Sequence, residues 1–119
     1  MKGISHKIEC EMYNQMFHVC FHKDVMDRRF WLEISDQWNG VTKLMDNSDI
    51  VLWFEHDNYG IPISTLNHEV FHAIDFMFGN KGVEFDSKGT NEHWAYAIGW
   101  LTEKILDCSK LEFDYTNRS

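Results

Sequence analysis

The sequence predicts a small α+β fold. Three observations predict it. Short runs of β-branched and aromatic residues read as strands, and longer segments repeat apolar residues at helical spacing. Their order along the chain is strand, helix, strand, helix, helix, an α+β arrangement. The chain has 119 residues, 44% of them hydrophobic, and a single proline. That length suits one domain over residues 1–119 and leaves no room for two.

Each element has its own signal. Residues 1–15 are weakly patterned and form either a short strand or a loose N-terminal arm. Phe17-His18-Val19-Cys20-Phe21 alternates apolar and semi-polar residues, as a strand does. Asp24 looks like the N-cap of a helix over Val25–Trp38, with apolar residues at 26, 30, 31, 34 and 38 and a stop at Asn39-Gly40. Residues 41–48 end in Asp46-Asn47-Ser48 and read as a loop. Ile50–Phe54, five apolar residues in a row, is the clearest strand. Asp57-Asn58-Tyr59-Gly60 is a turn. Pro62 suits a first helical turn, with Ser64 or Thr65 as cap, and the helical pattern runs to Phe78 before Gly79-Asn80-Lys81-Gly82 stops it. Residues 83–90 connect to a last helix, capped by Thr90 or Asn91 and reaching about Ser109, whose apolar stripe is Trp94, Ile98, Leu101 and Ile105. The tail from Asp114 is polar.

Composition narrows the function classes. With 11 basic against 19 acidic side chains the net charge is −8. Nucleic acid and anionic membrane surfaces would be repelled. No stretch approaches the roughly 20 apolar residues of a membrane span, and the N-terminal residues lack the apolar core of a signal peptide. Cys10, Cys20 and Cys108 are widely spaced, with no CxxC pattern, and fit free thiols in a reducing cytoplasm. Seven histidines are the one compositional hint of chemistry.

His68-Glu69-Val70-Phe71-His72 is an H-E-x-x-H motif on the fourth element. Residues i and i+4 lie about 40° apart around a helix, so the two imidazoles can converge on one ion. Glu69 lies about 100° from His68 and can reach a water on that ion. Zinc takes neutral imidazole, and a catalytic site uses three protein ligands and one open position for water. The zinc lowers the pKa of that water to about 7, and a neighbouring carboxylate can accept its proton and pass it to a leaving amine. The third candidate ligand is Glu92, 20 residues after His72 at the start of the last helix, with the adjacent His93 as its rival. If that helix returns antiparallel to the first, Glu92, Tyr96, Gly99 and Glu103 share one face, and Gly99 permits close helix approach. His6, His18, His22 and His56 read as strand or loop histidines.

Together, His68-Glu69-Val70-Phe71-His72 and the following Asn91-Glu92 resemble the gluzincin branch of zinc metallopeptidases, typified by thermolysin. The resemblance covers about residues 50–105. It implies a minimal zincin-like fold, a small sheet packed against an active-site helix and a following glutamate-bearing helix. It also implies Zn2+ held by His68, His72 and Glu92, Glu69 as general base, and residues 50–56 as the edge strand along which an extended substrate lies. Helix 25–38 would back the sheet.

Two departures accompany it. The pattern N-E-x-x-S-D ends here in Ala95-Tyr96, so the aspartate that orients a histidine ligand is missing, and Asp75 is the candidate to replace it. The oxyanion-stabilising histidine of the larger enzymes has no counterpart; Tyr96, Tyr59, His56 and His93 are candidates, with Tyr96 favoured. The expected function is a cytoplasmic zinc metallopeptidase acting on a peptide or protein substrate. The rival is a zincin-fold binding or scaffold protein with a structural zinc, or one self-inhibited by residues 1–15, and no turnover. The large aromatic load leaves homo-oligomer formation or a partner chain open.

Overall fold

A computed structural model describes residues 5–56, 60–82 and 91–113. Its elements are β1 (Ser5–Cys10), a 3₁₀ turn (Glu11–Tyr13), β2 (Gln15–Cys20), α1 (Lys23–Phe30), β3 (Gly40–Leu44), β4 (Ile50–Phe54), α2 (Ile63–Asn80) and α3 (Asn91–Phe113). The expected turn at 57–60 (in part), connector 83–90 and tail 114–119 fall outside the described residues. The α+β class stands: one four-stranded sheet ordered β1-β2-β4-β3 lies among the helices.

The strand β4 is apolar throughout because both of its faces are covered. Ile50, Leu52 and Phe54 join Phe17, Val19 and Phe21 in a core shared with α2 and α3. On the opposite face Val51 and Trp53 pack with Cys20, Val25, Met26 and Ile34. β4 runs parallel to β2 and antiparallel to β3. The edges of the sheet are therefore β1 and β3, and β4 is interior. This corrects the expectation that residues 50–56 form the edge. The stretch read as a loop at 41–48 holds the edge strand instead, and only its last part turns, with the Met45 N–H donating to the Asp49 carbonyl at 2.8 Å.

The expected helix 25–38 is shorter, Lys23–Phe30. His22, not Asp24, occupies the N-cap; Asp24 sits in the first turn, where its charge suits the helix dipole. Trp31 takes a left-handed conformation, φ 55°, and its N–H closes the helix on the Asp27 and Met26 carbonyls. The apolar repeat continues past that stop because the irregular segment after it folds back over the same sheet face, where Ile34 is buried. Residues 5–13 are the edge strand and a turn, so the first alternative for the N-terminal segment holds there.

At α2 the N-cap is Pro62, with Ser64 and Thr65 inside the first turn, and the helix extends to Asn80. The Asn80 amide donates to Gln15 Oε1 at 3.1 Å and to the Ser48 carbonyl at 3.3 Å, which ties the end of α2 to the beginnings of β2 and β4. The end of α3 lies at the other limit of those strands, where Glu112 meets His22 and Phe113 stacks on His56. Hence α2 and α3 run antiparallel across the sheet. Trp94, Ala97, Leu101, Ile105 and Cys108 form the buried stripe of α3, close to the expected one.

Candidate active site

The H-E-x-x-H segment lies wholly within α2. Leu66, Val70, Ala73, Ile74 and Met77 hold that helix to the sheet. His68 and His72 stand one turn apart on the side turned away from those residues, His68 exposed and His72 half-buried. Their Nε2 atoms are 3.1 Å apart and their ring planes 75° apart. Two ligands of one tetrahedral zinc, each at about 2.0–2.1 Å, sit about 3.3–3.4 Å apart. The pair therefore fits a shared divalent metal ion with little adjustment. Without one, an N–H of one ring donates to the other.

Glu69 occupies a different environment. It is only 7% exposed. Its side chain reaches the edge strand, where the Thr42 hydroxyl lies 2.7 Å from Oε1 and 3.1 Å from the Glu69 carbonyl oxygen. A hydroxyl has one proton, and the shorter contact takes it. Oε2 stays available, 4.0 Å from His68 Nε2. The helix approaches this strand closely because residue 40 is glycine: a Cβ there would stand 2.8 Å from Thr65 Cγ2 and 3.0 Å from Glu69 Cγ. Thr42 and Gly40 are the contributors that sequence reading missed. The β-branched Val41-Thr42 pair was the available signal for a strand at this position.

Glu92 is brought elsewhere. It is exposed on α3 and lines a pocket with His93 and Tyr96 of that helix and with residues 9–13; no residue of α2 takes part. Among the described residues, no three His, Cys, Asp or Glu side chains gather into a group that could hold a metal ion. The structure thus assembles His68, His72 and Glu69 and leaves Glu92 apart. Aromatic rings join the two helices, Phe71 on Trp94 at 5.6 Å and Phe78 on Trp94 at 5.2 Å. The expected shared face of Glu92, Tyr96, Gly99 and Glu103 exists but is exposed, and nothing lies within 4 Å of a Cβ on Gly99, so the helices do not approach there. Asp75 is exposed and bonds to neither imidazole. Tyr96 is 82% exposed. Tyr59 lies outside the described residues.

His6, His18, His22 and His56 lie on strands or loops, as expected. His6 and His22 each meet one oxygen of Glu112, His6 at 2.7 Å. A carboxylate oxygen can only accept, so both rings donate. His18 bonds Asp49 at 2.9 Å, and His56 stacks on Phe113 and meets Ser109 Oγ at 3.2 Å. No helix among the described residues is long and apolar enough to cross a membrane. No protein-family model, curated protein or solved structure matches the chain.

Proposed function

We propose that the chain is a zinc-dependent metallopeptidase of minimal gluzincin type, acting on a peptide or protein substrate. The observation that carries this reading is the approach of His68 and His72 Nε2 to 3.1 Å beside a buried, hydrogen-bonded Glu69 carboxylate. Bound zinc would supply an activated water and polarise the scissile carbonyl. Glu69 then works as the general base: Thr42 fixes one oxygen, and the other accepts the proton of the attacking water and delivers it to the leaving amine. The open edge of β3, next to Glu69, offers unpaired backbone groups to which an extended substrate can add as a further strand. That is the part the resemblance gave to residues 50–56. Glu92 is our candidate for the third ligand, which requires the first turn of α3 to shift toward α2. Tyr96 lies one turn after Glu92 on the same face and would move with it to donate to the oxyanion. Three free thiols suit a cytoplasmic setting.

The test starts from purified full-length protein. It should carry one equivalent of zinc and cleave members of a peptide library. Glu69→Gln should keep the metal and lose at least about 100-fold in kcat, the low end of what a positioned general base contributes. His68→Ala and His72→Ala should each lose the metal. Protein that takes up no transition metal at stoichiometry overturns the proposal.

A second reading, a zincin-like scaffold without turnover, is favoured by the position of Glu92 apart from the imidazoles. It predicts metal uptake, no cleavage of any library member, and no change on Glu69→Gln. For its self-inhibited form, residues 9–13 lie beside Glu92 and Tyr96, whereas Glu69 lies at the opposite edge of the sheet, β3.

A further inference from the structure

On the flank of α3 turned away from α2, the chain builds an apolar pocket that shares Glu92 and Tyr96 with the reading above but otherwise takes no part in it. Its volume is about 650 Å³, within the roughly 300–1,000 Å³ of ligand pockets. Ala97 and Trp100 of α3 and Tyr13 of the 3₁₀ turn form its walls. Met12 and Tyr96 form its lips and are 83% and 82% exposed. A shallower hollow of about 550 Å³ continues along α3 past Gly99 to Glu103. Glu92 and Glu103 mark the two ends of this groove, about 16 Å apart at 1.5 Å per helical residue.

The charge of the groove has one sign. Glu9, Glu11, Glu92 and Glu103 line it, and no lysine or arginine does among the described residues. The whole chain carries −8. Phosphate-bearing partners and a second copy of this acidic chain would be repelled. An exposed methionine and an amphipathic tyrosine at the lips are side chains that adapt to an inserted apolar group.

We propose that this groove docks a basic amphipathic helix from a partner protein. The helix seats one large aliphatic or aromatic side chain between Met12, Tyr96 and Trp100. Its lysines or arginines flank that anchor and face Glu9, Glu11 and Glu103. A helix suits the groove because one apolar stripe with charged margins matches an apolar floor with acidic rims over about three turns. The groove shares Glu92 and Tyr96 with the proposed metallopeptidase, yet it holds neither His68 nor His72, and docking there needs neither metal nor turnover.

The experiment uses the full chain and three labelled synthetic 15-residue peptides, read by fluorescence anisotropy. The first places leucine and phenylalanine at i, i+3, i+4 and i+7 among lysines. The second has the same composition scrambled so that no apolar face forms, and the third replaces its lysines by glutamate. The first peptide should bind with micromolar affinity and weaken as salt rises. The scrambled peptide should bind at least 10-fold more weakly, and the acidic one not at all. Met12→Asp and Glu103→Lys, both at exposed positions, should each weaken the first peptide at least 5-fold with an unchanged circular dichroism spectrum. His68→Ala should leave its binding unaltered, which separates this site from the metallopeptidase reading. Equal binding of the scrambled peptide, indifference to Met12→Asp, or no binding of the first peptide overturns the proposal.

Discussion

Glu69 is acidic, almost fully enclosed and yet bonded through only one of its oxygens. A buried carboxylate without a partner is expensive, and the Thr42 hydroxyl lowers that cost while leaving Oε2 free to take a proton. Removing the hydroxyl alone tests the arrangement. A hydrogen bond to a charged group is worth about 1.5–3 kcal/mol, or about 10- to 150-fold in rate if fully expressed in the transition state. If the chain is the proposed metallopeptidase, Thr42→Val should lower kcat by that order with KM and zinc content little changed, whereas Thr42→Ser should restore most of it. A fall in zinc content that tracked the fall in kcat would point instead to a disturbed metal pair.

At the scale of elements, the junction of β3 and α2 decides whether Glu69 reaches the edge strand. Gly40 makes that approach possible, since an added methyl group meets Thr65 and Glu69 inside ordinary contact distance. Overpacking of this kind typically costs about 1–3 kcal/mol. Gly40→Ala should therefore lower Tm by several degrees and, on the proposed metallopeptidase reading, weaken hydrolysis together with it, because the Thr42–Glu69 bond depends on the same gap. Differential scanning calorimetry and activity on one preparation would measure both. α1 shows the opposite case, a helix ended by backbone geometry where the apolar pattern continues. A large residue in the left-handed region, Trp31, closes it, and that side chain is 87% exposed. Apolar spacing past residue 30 therefore says only that the chain keeps covering the same sheet face.

Across the whole molecule, one carboxylate joins distant parts of the chain. Glu112 near the end of α3 accepts from His6 on β1 and from His22 just after β2. Two buried thiols feel its charge, Cys20 in one core cluster and Cys108 in the other. Burial pushes Cys20 up from 9.0 to about 12, with Arg29 opposing and Glu112 adding to the effect. Burial, with a smaller push from Asp107 and Glu112, raises Cys108 to about 11. Native protein at pH 8 should thus be alkylated at the half-buried Cys10 well before Cys20 or Cys108, with all three reacting after unfolding; peptide mapping by mass spectrometry reads the order. The sign of the pH dependence follows. Above pH 9 the unfolded chain releases thiol protons that the folded chain retains, so folding stability falls as pH rises from about 9 toward 11–12. Equilibrium urea unfolding at pH 8 and pH 10.5 should show this loss, reduced in Cys20→Ala.

By itself the sequence determined what local periodicity and local spacing control. The run Ile50–Phe54 is a strand because its residues are apolar on both faces, and α2 and α3 follow from their apolar stripes. The convergence of His68 and His72 follows from helix geometry alone, since i and i+4 are neighbours in any α-helix. Tertiary structure decided everything that depends on which strand lies beside which helix. It made β3 rather than β4 the edge, put Thr42 and Gly40 against Glu69, and turned Glu92 toward residues 9–13 rather than toward the imidazoles. The physical reason is the range of the interactions. A helical spacing is set within four residues, whereas the Thr42–Glu69 bond spans 27 positions and the neighbours of Glu92 come from more than 75 positions away. Such pairings are fixed only when the two core clusters close around the sheet.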